Sequence, residues 1–166
     1  MGVNLLKNRS FERATLDPWK TKGNVFTSTD QAFEGKKVAQ VGPVTAVGER
    51  AVLKQRVQLP SDTEALHLSF AVREEPTNGD TAPWFVDIKW LGSGGQVIRK
   101  DIVKRQEDFD TFDANDWLTY VDVPRRKPSG AVKARLRFVL TGFNDGTSDT
   151  CVSRGTAMIR GIGHSV

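Results

Sequence analysis

The chain is poor in the residues that most catalytic chemistry needs. Among 166 residues it has one cysteine, two histidines and one tyrosine. A single thiol, Cys151, excludes an internal disulfide, so the fold does not depend on oxidation. It reads as a half-buried loop thiol rather than a nucleophile. His67 and His164 are too few for a metal cluster, and no His, Cys, Asp or Glu set has ligand spacing, so no metal and no cofactor are expected. Paired carboxylates on a confident strand are lacking as well. The sequence therefore predicts a protein that is not an enzyme.

No run of eighteen apolar residues occurs, which excludes a membrane-spanning helix and leaves no membrane insertion to expect. The first residues show no apolar core followed by a small-residue cleavage site, so no signal peptide is expected in this chain. That leaves a cytoplasmic location or a spore or cell surface, with the compartment undetermined. Helical periodicity is nearly absent. Gly92-Ser93-Gly94-Gly95 is glycine-rich, but it joins two strand-like runs, whereas a phosphate-binding loop should open a helix.

What the chain has is alternation. In Leu66–Arg73, Trp84–Trp90 and Val132–Leu140 every second residue is apolar, the pattern of a half-buried strand. Weaker strands are predicted at 24–29, 37–41, 51–58, 96–103, 117–123 and 156–162. Turn residues separate them: Gly42-Pro43, Leu59-Pro60-Ser61-Asp62, Pro76-Thr77-Asn78-Gly79-Asp80, Pro128-Ser129-Gly130 and Asn144-Asp145-Gly146. Short strands broken at intervals by turns predict an all-β fold, a sandwich or barrel. With 38% apolar and 27% charged residues and no linker or repeat, residues 1–166 read as one domain.

The opening stretch carries a resemblance. Asn4-Leu5-Leu6-Lys7-Asn8, then Ser10-Phe11-Glu12 and Asp17-Pro18-Trp19, resembles the start of galactose-binding-like jelly rolls. The chain is similar to carbohydrate-binding modules of families four, nine and twenty-two. It also resembles a domain that precedes tandem-repeat tails in spore-forming Firmicutes. The resemblance spans almost the whole chain, through Leu68-Ser69-Phe70, Trp117 and Ala157-Met158-Ile159. It implies a two-sheet antiparallel jelly-roll β-sandwich whose first and last strands meet. Leu5, Leu6 and Phe11 would plug one end, with Trp19 packed over the early loop. It also implies a recognition or structural module, binding a glycan or assembling a surface structure, homo-oligomers included. In such relatives the acid after the Phe helps hold calcium with an aspartate of the last strand. Here Arg160 stands at that aspartate's place, so an ion pair between Glu12 and Arg160 is expected instead of a metal.

Net charge is +4 and the isoelectric point about 9.4. Basic residues gather at Arg99-Lys100, Lys104-Arg105, Arg125-Arg126-Lys127 and Lys133/Arg135/Arg137. Opposite in parity to the core positions stand Phe85, Asp87 and Lys89 on one strand and His67, Ser69 and Arg73 on another. Lys133, Arg135 and Arg137 stand so on a third, and Tyr120 and Asp122 on a fourth. On one sheet these would form a charged surface with Phe85 and Tyr120 as its only stacking platforms. Phe85, Asp87, Lys89, Tyr120, Arg73, Arg135 and Arg137 are thus the candidate ligand-binding residues. The charge suits an anionic glycan, or no glycan at all, better than a neutral polysaccharide. The alternative is a basic face for nucleic acid or another anionic polymer, which needs Lys133/Arg135/Arg137 to align with Arg73, Lys89 and Arg125–Lys127. The acidic loop Gln106–Asp116 lacks the glycine and final Glu of a calcium-binding EF-hand loop, and reads as a loop packed on Phe109 and Phe112.

Overall fold

The computed structural model describes residues 4–29, 32–44, 46–76, 82–106, 116–142, 153–156 and 164–165. Its elements are all β-strands, antiparallel wherever they pair. One sheet has five strands: β1 (Lys20–Lys22), β4 (Arg50–Gln58), β9 (Lys133–Thr141), β6 (Trp84–Leu91) and β7 (Val97–Gln106), in the order β1-β4-β9-β6-β7. A second sheet has four: β5 (Ala65–Pro76) pairs with β8 (Trp117–Arg126), β10 (Ser153–Thr156) and β11 (His164–Ser165). The strands β2 (Val25–Ser28) and β3 (Val38–Val41) form a separate hairpin. This is the all-β sandwich that the alternation predicts.

The period-2 pattern decides which way each strand faces. Trp84, Val86, Ile88 and Trp90 of β6 are buried in one core with Ala134, Leu136, Phe138 and Leu140 of β9. From the second sheet Leu66, Leu68, Phe70 and Val72 meet them. Each large apolar side chain buried this way stabilises the fold by about 1.5–3 kcal/mol. Phe70 and Phe138 make an edge contact across the two sheets, with ring centroids 5.7 Å apart.

The N-terminal segment closes one end as expected. Leu6 and Phe11 are buried, and Leu5 packs against the core. Trp19 is buried 5.6 Å from the Phe11 ring and 6.3 Å from Phe138. Its indole N–H donates to the Asn8 carbonyl at 3.1 Å. Asn8 and Phe11 both adopt positive φ, 48° and 60°. Asn8 tolerates this because its side-chain amide donates to the Thr15 and Asp17 carbonyls.

The C-terminal strand expected at 156–162 lies outside the described residues apart from Thr156, which ends β10, and its expected meeting with the first strand lies outside them too. Among the described strands β1 pairs with β4, and β11 pairs with β5. The short β1 and β11 carry too few residues to show alternation. Cys151, Arg160, residues 157–163 and most of the acidic loop, residues 107–115, lie outside the described residues.

Two arginines tie the open side of the sandwich. The Arg125 guanidinium, on β8, donates to the Ile102 and Val103 carbonyls of β7 at 3.0 and 3.3 Å. Arg99 of β7 donates to the Arg126 carbonyl of β8. It also grips Asp101, which accepts the Trp90 indole N–H at 2.7 Å. These basic residues, prominent in the sequence, are structural ties.

Candidate functional site

The five-stranded sheet turns its other face away from the core. The residues there are set by parity and register. Asp87 of β6 lies directly opposite Arg137 of β9, and Arg137 opposite Lys54 of β4. In the next row, Arg56 of β4, Arg135 of β9, Lys89 of β6 and Lys100 of β7 stand side by side, each paired with the next. Phe85, opposite Val139, lies beyond Asp87 on the same face.

Asp87 is the centre of this surface and is fully buried beneath its neighbours. Its Oδ1 accepts from Arg137 Nε at 2.7 Å, and its Oδ2 accepts from the second guanidinium nitrogen. This is the bidentate fork that an Arg and a carboxylate form. The Lys100 ammonium stands 3.5 Å from Oδ2. It also lies 5.3 Å from the centroid of the Phe85 ring. The aromatic platform at this site thus already carries a cation over its face.

The other cations crowd one another. The Lys89 ammonium is pushed below the ordinary lysine range, chiefly by Arg137, then by burial, with Asp87 opposing. Arg135 is pushed down by burial first, then by Arg56 and Arg137. Among the described residues no ion pair engages Arg56, Arg135 or Lys89.

Five of the seven candidate residues therefore come together: Phe85, Asp87, Lys89, Arg135 and Arg137. The other two do not. Tyr120 lies on β8 of the second sheet, stacked on Phe70 at 4.9 Å and packed against the core, with Trp84 on its edge. It cannot share a face with Phe85. Arg73 is buried on β5, where its guanidinium lies 5.6 Å from the Trp117 ring. Parity along a strand does not say which sheet the strand joins, so parity alone cannot separate these two from the rest. For the same reason Arg73 and Arg125 form no single stripe with Lys89 and Arg135. Sequence reading missed Arg56, Lys54 and Lys100 as members of the face. The alternation of β4, with Ala51, Leu53 and Gln55 buried, was the available signal.

Glu12 is held by backbone donors. Its Oε1 accepts the backbone N–H of Lys36 at 2.7 Å and of Lys37 at 3.0 Å. Those two bonds hold its carboxyl below the ordinary glutamate range. Arg160 lies outside the described residues. No group of three or more His, Cys, Asp or Glu gathers among the described residues.

A buried carboxyl sits between the sheets. Glu74 of β5 accepts the Trp84 indole N–H, and burial pushes it above the ordinary glutamate range. An apolar cavity of about 30 Å³ lies among Leu6, Val57, Leu68, Ile88 and Leu136. His67 is the one polar side chain in its lining, and the space is too small for a sugar.

No protein-family profile and no curated protein sequence matches the chain. Solved structures do. The enzymatically active domain of tailspike protein 4 from bacteriophage CBA120 is similar over 98% of this chain, at 16% identity and a TM-score of 0.68. This chain spans only 21% of that protein. TmCBM61, solved with β-1,4-galactotriose, matches over 95% of both chains at 16% identity and a TM-score of 0.57. The C-terminal family 22 carbohydrate-binding module of Clostridium thermocellum Xyn10B matches over 98% of this chain and 94% of its own, at 16% identity and a TM-score of 0.60. The fold is therefore the jelly-roll β-sandwich of carbohydrate-binding modules.

Proposed function

We propose that this chain is a non-catalytic glycan-recognition module that carries its ligand on the outer face of the five-stranded sheet. The observation that supports this most is the Asp87 cluster. A buried carboxylate locks Arg137 and Lys100 into fixed positions at the middle of a broad polar surface. Prearranged donors bind hydroxyl and acidic groups at low ordering cost. The likeness to carbohydrate-binding modules over nearly the full length supports the same reading.

The same cluster argues against catalysis there. Asp87 is the one acid on that face among the described residues, and its oxygens are committed to cations. A general acid or base needs a carboxyl that can exchange a proton with substrate. A surface-assembly role has less behind it: of the exposed large apolar side chains among the described residues, Phe26, Phe33, Val47, Val97, Ile98 and Val121, only Val97 and Ile98 share an element.

Gel retardation in embedded xylan, galactan and polygalacturonate tests the proposal. Slower migration of the wild type in at least one gel is the expected result. Unchanged migration in all three would contradict it.

A further inference from the structure

The row Arg56–Arg135–Lys89–Lys100 is unusual for an antiparallel sheet. Like charges directly opposite each other on neighbouring strands are destabilising, and opposite charges are the stabilising choice. Here four adjacent strands each place a cation in one line, in register. At about 4.8 Å between strands, the line is about 14 Å long. Asp87, in the neighbouring row, is matched by Arg137 and reached by Lys100 alone of the four. The ladder thus carries a positive excess that this face does not neutralise. Lys89 is pushed down first by Arg137 of the neighbouring row and by burial, to which its ladder neighbours Lys100 and Arg135 add in the same direction. Arg135 is pushed down first by burial, to which its ladder neighbour Arg56 adds.

We propose that the ladder is the binding register of an acidic polysaccharide, whose chain lies across the strands and whose carboxylate or sulfate groups replace the missing anions. This rests on the glycan reading above and adds the ligand's charge and direction. A neutral glycan would leave the four charges facing one another. A single-stranded nucleic acid would need ring faces for its bases. The ring beside the ladder, Phe85, already has the Lys100 ammonium over it.

The test combines binding with melting. Polygalacturonate, heparin, neutral xylan and single-stranded DNA are titrated into the wild type, Lys89→Gln, Arg135→Gln and Lys7→Gln, whose residue lies off this face. The expected result is binding of polygalacturonate, heparin or both, with the stronger one identifying carboxylate or sulfate as the recognised group. Each ladder variant should lose about tenfold in affinity, the worth of one charge-assisted contact. Each should also lower the slope of log affinity against log salt by about one. Lys7→Gln should bind as the wild type does. Without ligand, both ladder variants should melt at or above the wild-type temperature, because they relieve repulsion. A lowered Tm in either would overturn the repulsion argument. Xylan binding that Lys89→Gln and Arg135→Gln leave intact would overturn the inference and spare the glycan reading. Binding of none of the three polysaccharides would overturn both. Single-stranded DNA bound more tightly than either acidic polymer would overturn the class of ligand.

Discussion

Asp87 and Arg137 face each other across β6 and β9 and are joined by two parallel hydrogen bonds, with the carboxylate wholly out of water. The two partners are not equivalent. Arg137 keeps part of its side chain exposed and can turn outward, whereas Asp87 cannot be rehydrated without opening the face. Removing one member of a buried pair costs about 3–5 kcal/mol when the other is left stranded. Arg137→Met should therefore cost close to that amount in urea unfolding. Asp87→Asn should cost less, since its stranded cations reach solvent. Equal losses would mean that the burial of Asp87 does not govern the pair.

Glu12 tethers the N-terminal segment to the turn before β3. Its bonded carboxylate oxygen would lie 2.2 Å from a Cβ placed on Gly35, whose φ is +75°. Gly35→Ala should therefore lower the Tm, through both the clash and the left-handed backbone. The Glu12 carboxyl has a lowered pKa in the fold. Its contribution to stability is thus present above the ordinary glutamate value and is lost as pH falls through the lower folded value. Glu12→Gln should flatten the acid limb of a plot of Tm against pH. An unchanged limb would show that the tether contributes nothing.

Glu74 works in the opposite sense. Its pKa is raised by burial, more than the Trp84 hydrogen bond lowers it. Stability from this group is therefore full below the ordinary glutamate value and falls as pH rises through the folded value. Each unit between the folded and unfolded values corresponds to about 1.4 kcal/mol. Glu74→Gln keeps an acceptor for the indole N–H and removes the charge, so at pH 7 it should unfold at higher urea than the wild type. At pH 3 the two should match. A destabilised Glu74→Gln at pH 7 would show that the carboxylate is stabilising there.

Most of the fold is legible in the sequence, because alternation and core parity are the same fact seen twice. Residues 66–73, 84–90 and 132–140 fall within or one residue from β5, β6 and β9. Trp84 and Trp90 are buried as their parity requires. The site is legible by halves. Phe85, Asp87 and Lys89 share a face because they share a strand, and Arg135 joins them because β9 pairs with β6. Tyr120 does not, because the partner of β8 is β5, a pairing with no local signal in either strand. The partners of Glu12 were hidden for a related reason: they are backbone N–H groups, which any sequence supplies.

A backbone amide chemical-shift titration of the isotope-labelled wild type with polygalacturonate oligomers tests the central claim most directly. The account predicts that the largest shifts cluster at Arg56, Arg135, Lys89 and Lys100, across four neighbouring strands of one sheet. Shifts confined to β5 and β8 of the second sheet, or no shifts at all, would contradict it.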